Sequence, residues 1–373
     1  MPRSARITIY VLSVWLCGVG SRSVGAAEEF PFYHENVMGT SLELRVQAES
    51  AEAARWAEQR VLREIDRLSA IFSGYDPASE FSRWQANAPG GVQVSPELFE
   101  VLQASDHWRA RSGGAFDPRV EALTRLWSAC AQQDRTPTAD ELAEAKALMS
   151  RDAWRLDPVD RTAQRLSECP LSLNAIAKGY IVERACDVAL EQGRGVRGLL
   201  LNVGGDLRVC GETARTIGLA PPRGDSETAE PWTYLEVRER SVATSGDAQR
   251  GLRIQGRWYS HIFDPRSGQP AAQTISATVV ARRGADADAL ATICNVLSVE
   301  ESLRLVDALP DVACLLVTSD GRVARSQAWR LYEKERPRPL PLALADDQKS
   351  PAPGTKGDEG ASKAPPPPRG SVA

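Results

Sequence analysis

The chain has 373 residues, enough for one large domain or two ordinary ones. Hydrophobic residues make up 42% and charged residues 25%, the balance of a soluble globular protein, and no nucleic-acid partner is expected from a formal net charge of −4. Arg3 and Arg6 precede an apolar run from Ile7 to Cys17, and small residues follow as far as Ala26-Ala27. This is a secretory signal pattern, so residues 1–26 are expected to be removed on export to the periplasm or the outer face of the cytoplasmic membrane. The run is too short for a permanent span. Cys17 offers a site for a lipid anchor and membrane association, although Leu16 is a poor residue just before a lipidated cysteine.

The remainder reads as strands and helices in alternation. Ser41 to Val46 alternates apolar and polar residues like a half-buried strand. Val61, Ile65, Leu68 and Phe72 mark one face of the helix that follows. Ser95-Pro96-Glu97 opens another, with Leu98, Val101, Leu102 and Trp108 on its buried face and Gly113-Gly114 as its stop. Residues 132–163 are polar and charged and read as a surface excursion with a helical stretch over 139–149. A third helix is predicted from about Ala175 to Gln192, then a strand from Leu199 to Val203. Ser298 and Glu301 form a capping box for a helix ending near Leu309. Ser319-Asp320-Gly321-Arg322 lies between two apolar runs as a hairpin turn. The Pro-rich tail over 336–373 has little to bury and is expected to be disordered, which leaves a folded domain over residues 30–335.

Six cysteines lie beyond Cys17, none in C-x-x-C spacing, so neither a zinc site nor a redox motif is indicated. Cys186, Cys210, Cys294 and Cys314 sit in apolar stretches as core thiols; Cys130 and Cys169 are the best candidates for a bridge.

Several short patterns could carry chemistry. Asp288 and Thr292 lie four apart in a segment of helical spacing, and can aim two hard oxygens at one Mg²⁺. The alternative is an acid at a helix start and a space-filling threonine. Lys178 falls in the first turn of its helix, where a lysine and free backbone N–H groups suit a phosphate; a solvated lysine is the plain alternative. Asn202-Val203-Gly204-Gly205-Asp206 ends a strand at two glycines, as a ligand approach or a simple turn. Thr244-Ser245-Gly246-Asp247 reads as another tight turn, with hydroxyls and an acid. His107, beside Trp108, reads as structural; His261, at a strand end before Asp264-Pro265, could serve as a general base or be an inert rim histidine.

The order of the patterns says more than any one of them. Met38-Gly39-Thr40, Phe72-Ser73-Gly74-Tyr75-Asp76, Gly113-Gly114-Ala115-Phe116-Asp117-Pro118, Ala175-Ile176-Ala177-Lys178-Gly179-Tyr180, Asn202 to Asp206, Ala243 to Asp247, Ser260 to Pro265 and Asp288 to Thr292 together resemble the ApbE family of FAD:protein FMN transferases. The resemblance spans residues 38–292 and implies a single two-lobed α+β domain with mixed sheets and packed helices, FAD lying in the cleft between the lobes. It implies that Mg²⁺ is held by Asp288, Thr292 and a backbone oxygen near Ala175. It also implies that Met38, Tyr75, Ala115, Phe116, Asp117, Lys178 and Ile262 line the FAD site. The implied reaction moves FMN from FAD to a Thr or Ser hydroxyl of an acceptor redox protein and releases AMP. His261, or else Asp247, would take the acceptor proton. Two departures stand out: Ser172 replaces an Asp that touches FAD in the family, and Ala248 replaces a common Tyr. They keep open a FAD pyrophosphatase, or a non-catalytic periplasmic FAD-binding protein, as alternatives.

Overall fold

The computed structural model describes residues 27–86, 90–190, 194–222, 230–246 and 250–335. They belong to one compact unit that closes at Arg336. The expected signal over 1–26 and tail over 336–373 lie outside the described residues, as do Asp247 and Ala248.

In chain order the elements are β1 (Glu28–Val37), β2 (Thr40–Ala48), α1 (Ala51–Phe72), α2 (Glu80–Ala86), β3 (Gly91–Gln93), α3 (Pro96–Arg111), α4 (Glu121–Gln132), α5 (Ala139–Met149), β4 (Trp154–Asp157), β5 (Thr162–Arg165), α6 (Ala177–Leu190), β6 (Val196–Val203), β7 (Asp206–Gly211), β8 (Arg215–Leu219), β9 (Thr233–Val237), β10 (Arg240–Gly246), β11 (Gly251–Ile254), β12 (Arg257–Ser260), β13 (Thr274–Ala281), α7 (Gly284–Val296), α8 (Val299–Asp307), β14 (Ala313–Thr318), β15 (Val323–Arg325) and β16 (Glu333–Lys334).

The principal sheet has eight strands in the order β1-β2-β6-β7-β10-β13-β14-β15. Every strand pair described is antiparallel, a stricter arrangement than the mixed sheets the resemblance implies. Alternation along its strands explains how one sheet serves two cores. Leu199, Leu201 and Val203 of β6 face a core shared with α1, α3, α6 and α7, whereas Leu200 faces a second core built against β8 and β9. A third cluster joins α4 and α5 to the β11–β12 hairpin through Leu123, Trp127, Met149, Ile254 and Phe263.

Local signals account for most helix starts. Ser50 Oγ accepts the Ala53 N–H to cap α1, and Ser95 Oγ accepts the Leu98 N–H to cap α3. The expected capping box at Ser298 and Glu301 is present. Other expectations need correction. Residues 40–44 of β2 are buried on both faces: Leu42 and Leu44 lie in the main core, and on the other face Glu43 is held by a bond from Arg45 Nε at 2.7 Å. Thr244 to Gly246 are not a turn: they continue β10, with Gly246 paired to Ser276, and Thr244 Oγ1 lies 2.9 Å from Thr278 Oγ1. The polar segment over 132–163 contains the expected helix, α5, and adds two strands not expected from the sequence, β4 and β5. Cys130 and Cys169 form no bridge; both are buried free thiols, as are the four core cysteines.

Candidate functional site

Four backbone turns converge at the starts of α6 and α7. Ala177 donates to Leu173 O at 2.8 Å, and α6 begins two residues later than the sequence predicts. The Gly179 N–H, which in a regular helix would bond the Ala175 carbonyl, donates instead to Asp288 Oδ2 at 3.0 Å. Asp288 is only 7% exposed. Thr292 follows one turn later on the same face of α7, half-buried. The Ala175 carbonyl, the Asp288 carboxylate and the Thr292 hydroxyl are thus hard oxygen donors from neighbouring helix turns.

Lys178 is engaged rather than solvated. Its Nζ lies 3.0 Å from Asp206 Oδ2 and 3.4 Å from the Gly204 carbonyl. Asp206 opens β7 straight after the Gly204-Gly205 turn, both glycines having positive φ, and is 3% exposed. Asn202 Oδ1 accepts the Gly205 N–H at 3.2 Å and braces that turn. The Met38-Gly39 turn of the neighbouring β1–β2 hairpin also has positive φ at both residues, 49° and 73°. The two hairpins touch: a Cβ on Gly204 would stand 2.7 Å from Thr40 Cγ2.

A second wall comes from three segments. Tyr75 is 84% exposed, and its hydroxyl accepts a hydrogen bond from Asn174 Nδ2 at 2.9 Å. Ser172 Oγ accepts the Asn174 N–H at 3.3 Å, and the Ser172 N–H donates to Pro118 O at 2.9 Å. That last bond ties the Ala115-Phe116-Asp117 loop to the approach to α6. Ala115 and Phe116 are buried. Asp117 is committed elsewhere: its carboxylate accepts from Arg119 Nη2 at 2.6 Å and Arg109 Nε at 3.2 Å. It acts as the keystone of this loop, and its side chain is turned to these arginines rather than free for a ligand.

His261 follows β12 directly, and its Nδ1 lies 3.0 Å from the Arg250 carbonyl. A carbonyl can only accept, so Nδ1 carries the proton and Nε2 holds the free lone pair. Ile262 is buried, with its N–H bonded to Ser260 Oγ at 3.1 Å. The Arg250 guanidinium is close enough to Lys178, Asp206 and His261 to bias the titration of each. His261 and the Lys178 cluster therefore share one neighbourhood.

The ApbE family model matches residues 38–316. The chain belongs to the ApbE family. It is 29% identical over 339 residues to the FAD:protein FMN transferase of Treponema pallidum, covering 85% of this chain and 92% of that one. It is 30% identical over 244 residues to the protein of the same name from Klebsiella pneumoniae, covering 64% and 75% of the two chains. Among solved structures, the ApbE protein of Thermotoga maritima superposes with a TM-score of 0.73 at 28% identity, covering 83% of this chain and 100% of that one. The apo form of Pseudomonas stutzeri flavinyl transferase ApbE gives 0.67 at 25% identity, covering 83% and 98%.

The electrostatics of this ApbE-family site are those of a carboxylate pair short of positive charge. Burial pushes Asp288 well above the usual carboxylate range, and repulsion from Asp206 adds to it. Burial raises Asp206 as well, against the pull of Lys178. Burial alone would lower Lys178, but the Asp206 and Asp288 carboxylates more than offset it, so the ammonium is held more firmly than in water. His261 is exposed by surface area, yet the protein packed around its ring displaces enough water to lower its pKa below the ordinary 6.5. From sequence, Asp206 is read within a motif but given no role, and Arg250 is not singled out. Asp206 was within reach of that reading, as the acid closing the Gly204-Gly205 turn; nothing in the local pattern marks Arg250.

Proposed function

We propose that this chain is a Mg²⁺-dependent FAD:protein FMN transferase. The observation that carries the reading is the bond from the Gly179 N–H, next to Lys178 at the start of α6, to the buried Asp288 of α7, in a chain of the ApbE family. The donor set suits Mg²⁺: one carboxylate, a carbonyl and a hydroxyl, with room for phosphate oxygens, is the way this ion is commonly bound beside a nucleotide. The buried Asp288, raised by Asp206, is a carboxylate that a dication would stabilise. When bound there, Mg²⁺ would polarise the phosphoryl oxygens and ease departure of the leaving group.

The chain's own residues supply the rest. Met38, Tyr75, Ser172, Ile262 and the Ala115–Asp117 loop form the walls for the flavin nucleotide, and Lys178 offsets pyrophosphate charge. The acceptor Thr or Ser oxygen attacks the FMN-side phosphorus, a new P–O bond forms, and the bond to the bridging oxygen breaks. AMP leaves with that oxygen. His261 Nε2 takes the hydroxyl proton, a role its free lone pair and lowered pKa both suit. Asp247 is the alternative base, and lies outside the described residues. Export with loss of residues 1–26, a dispensable tail over 336–373 and a membrane-associated redox acceptor complete the proposal.

Incubation with FAD, Mg²⁺ and an acceptor fragment tests it. AMP together with protein-bound flavin supports transfer. Free FMN with AMP would make the chain a pyrophosphatase, and intact FAD would make it a binding protein.

A further inference from the structure

The first turns of α6 and α7 cross at backbone contact, with no side chain between them. A Cβ on Gly179 would stand 2.1 Å from the Gly284 carbonyl oxygen and 2.8 Å from Asp288 Cβ. A Cβ on Gly284 would stand 2.0 Å from the Gly179 oxygen and 3.1 Å from Glu183 Cβ. Carbon–oxygen contacts normally settle at about 3.3–3.6 Å, so a methyl at either position must part the helices by roughly 1 Å.

The hydrogen bonds across this crossing are reciprocal. Asp288 of α7 accepts the Gly179 N–H of α6 at 3.0 Å, and Glu183 of α6 accepts the Gly284 N–H of α7 at 2.6 Å. In each helix the carboxylate stands four residues after the glycine, one turn on. The first N–H groups of a helix lack partners within it, and carry its positive end. At Arg283 α7 has no side-chain cap of its own. Each helix is therefore capped by an acid of the other.

We infer that Glu183, through Gly284 and the Gly179 contact, is a positioning residue for Asp288. The inference rests on the reading of Asp288 as a Mg²⁺ ligand. Asp288 also faces Lys178 and Asp206, whereas Glu183 has Arg208, Asp187 and Arg283 around it and, through its bond to Gly284, holds the start of α7 against α6. Fixing that start fixes the distance from Asp288 to the Ala175 carbonyl and orients Thr292, which rides on the same helix. Without the Glu183 bond, the Gly284 N–H is left buried and unpartnered, and α7 can shift along α6.

The test is calorimetric titration of the FAD-loaded protein with Mg²⁺, beside FAD titration without metal. Loss of a supporting partner behind a metal ligand typically weakens metal binding by about 10–100-fold. Glu183→Ala is expected to weaken Mg²⁺ binding by about 10-fold or more while metal-free FAD affinity stays within about 3-fold. Glu183→Gln keeps an oxygen acceptor and should restore Mg²⁺ binding to within about 3-fold of wild type. Gly284→Ala should weaken it at least as much as Glu183→Ala. If Glu183→Ala does not fold, Glu183→Asp, one methylene short of Gly284, carries the same expectation. Wild-type Mg²⁺ affinity in folded Glu183→Ala or Glu183→Asp, and in Gly284→Ala, would overturn the inference. Asp288→Asn is the control: if it too binds Mg²⁺ like wild type, the metal assignment itself falls.

Discussion

Replacing Lys178 by Met removes the ammonium that faces two buried carboxylates, Asp206 and Asp288, and its cost can be worked from the geometry. The Lys178 Nζ lies 3.0 Å from Asp206 Oδ2, and the two side chains are 29% and 4% exposed. Breaking a buried ion pair by removing one partner costs about 3–5 kcal/mol; the partial exposure of Lys178 places this case near ~3 kcal/mol. For a domain of this size that corresponds to a fall in Tm of roughly 5 °C. The sign of the pH dependence follows from Asp206 and Asp288, whose pKa values are already raised by burial and rise further without the lysine. A carboxyl with a folded pKa above its unfolded value near ~3.9 binds protons preferentially in the folded state. Its contribution is present at low pH and is lost as pH rises through the folded pKa. The deficit of Lys178→Met should therefore be largest near pH 8 and shrink toward acid, and adding Asp206→Asn should recover much of it. Urea unfolding across that range is the assay. A deficit absent at pH 8, or one that grows toward acid, would refute the account of this cluster.

Other consequences are equally open to measurement. His261→Gln should bind FAD normally but transfer FMN about 10²–10⁴-fold more slowly in single-turnover labelling. In the wild type the rate should fall as pH drops through a pKa below the ordinary value of about 6.5, because only the neutral ring accepts the proton; a limb above that value would exclude His261 as the base. Thiol titration of the mature chain, denatured without reductant, should count six thiols, since all six cysteines are free; a count of four would restore a bridge. N-terminal sequencing of native protein should find a start near Ala27, and a start at Met1 would rule out removal of the leader.

Local chemistry was legible in the sequence where one residue decides the outcome. Ser95, Ser298 and Glu301 mark helix starts because their side chains bond backbone a few residues away. Apolar spacing marked the buried face of α1 for a similar reason. The site itself was less legible. Asp288 bonds Gly179 across 109 residues of chain, and Glu183 bonds Gly284 across 101. No spacing rule reaches that far; only the ordered motifs of the family placed Asp288, Lys178 and Ala175 together. Thr244 to Gly246 misled because hydroxyls and glycine favour turns, yet pairing with β13 holds them extended. The Asp117 motif implies a place beside the flavin, whereas Arg119 and Arg109, brought in by the fold, hold its carboxylate.

In the proposed reaction a hydroxyl of another protein, not water, receives the FMN. Intact-mass analysis of an acceptor fragment after a single turnover with FAD and Mg²⁺ tests it most directly. One FMN per acceptor and one AMP per FMN attached are expected, with no label on an acceptor whose Thr or Ser is replaced by Ala. AMP release at full rate with an unlabelled acceptor would contradict it.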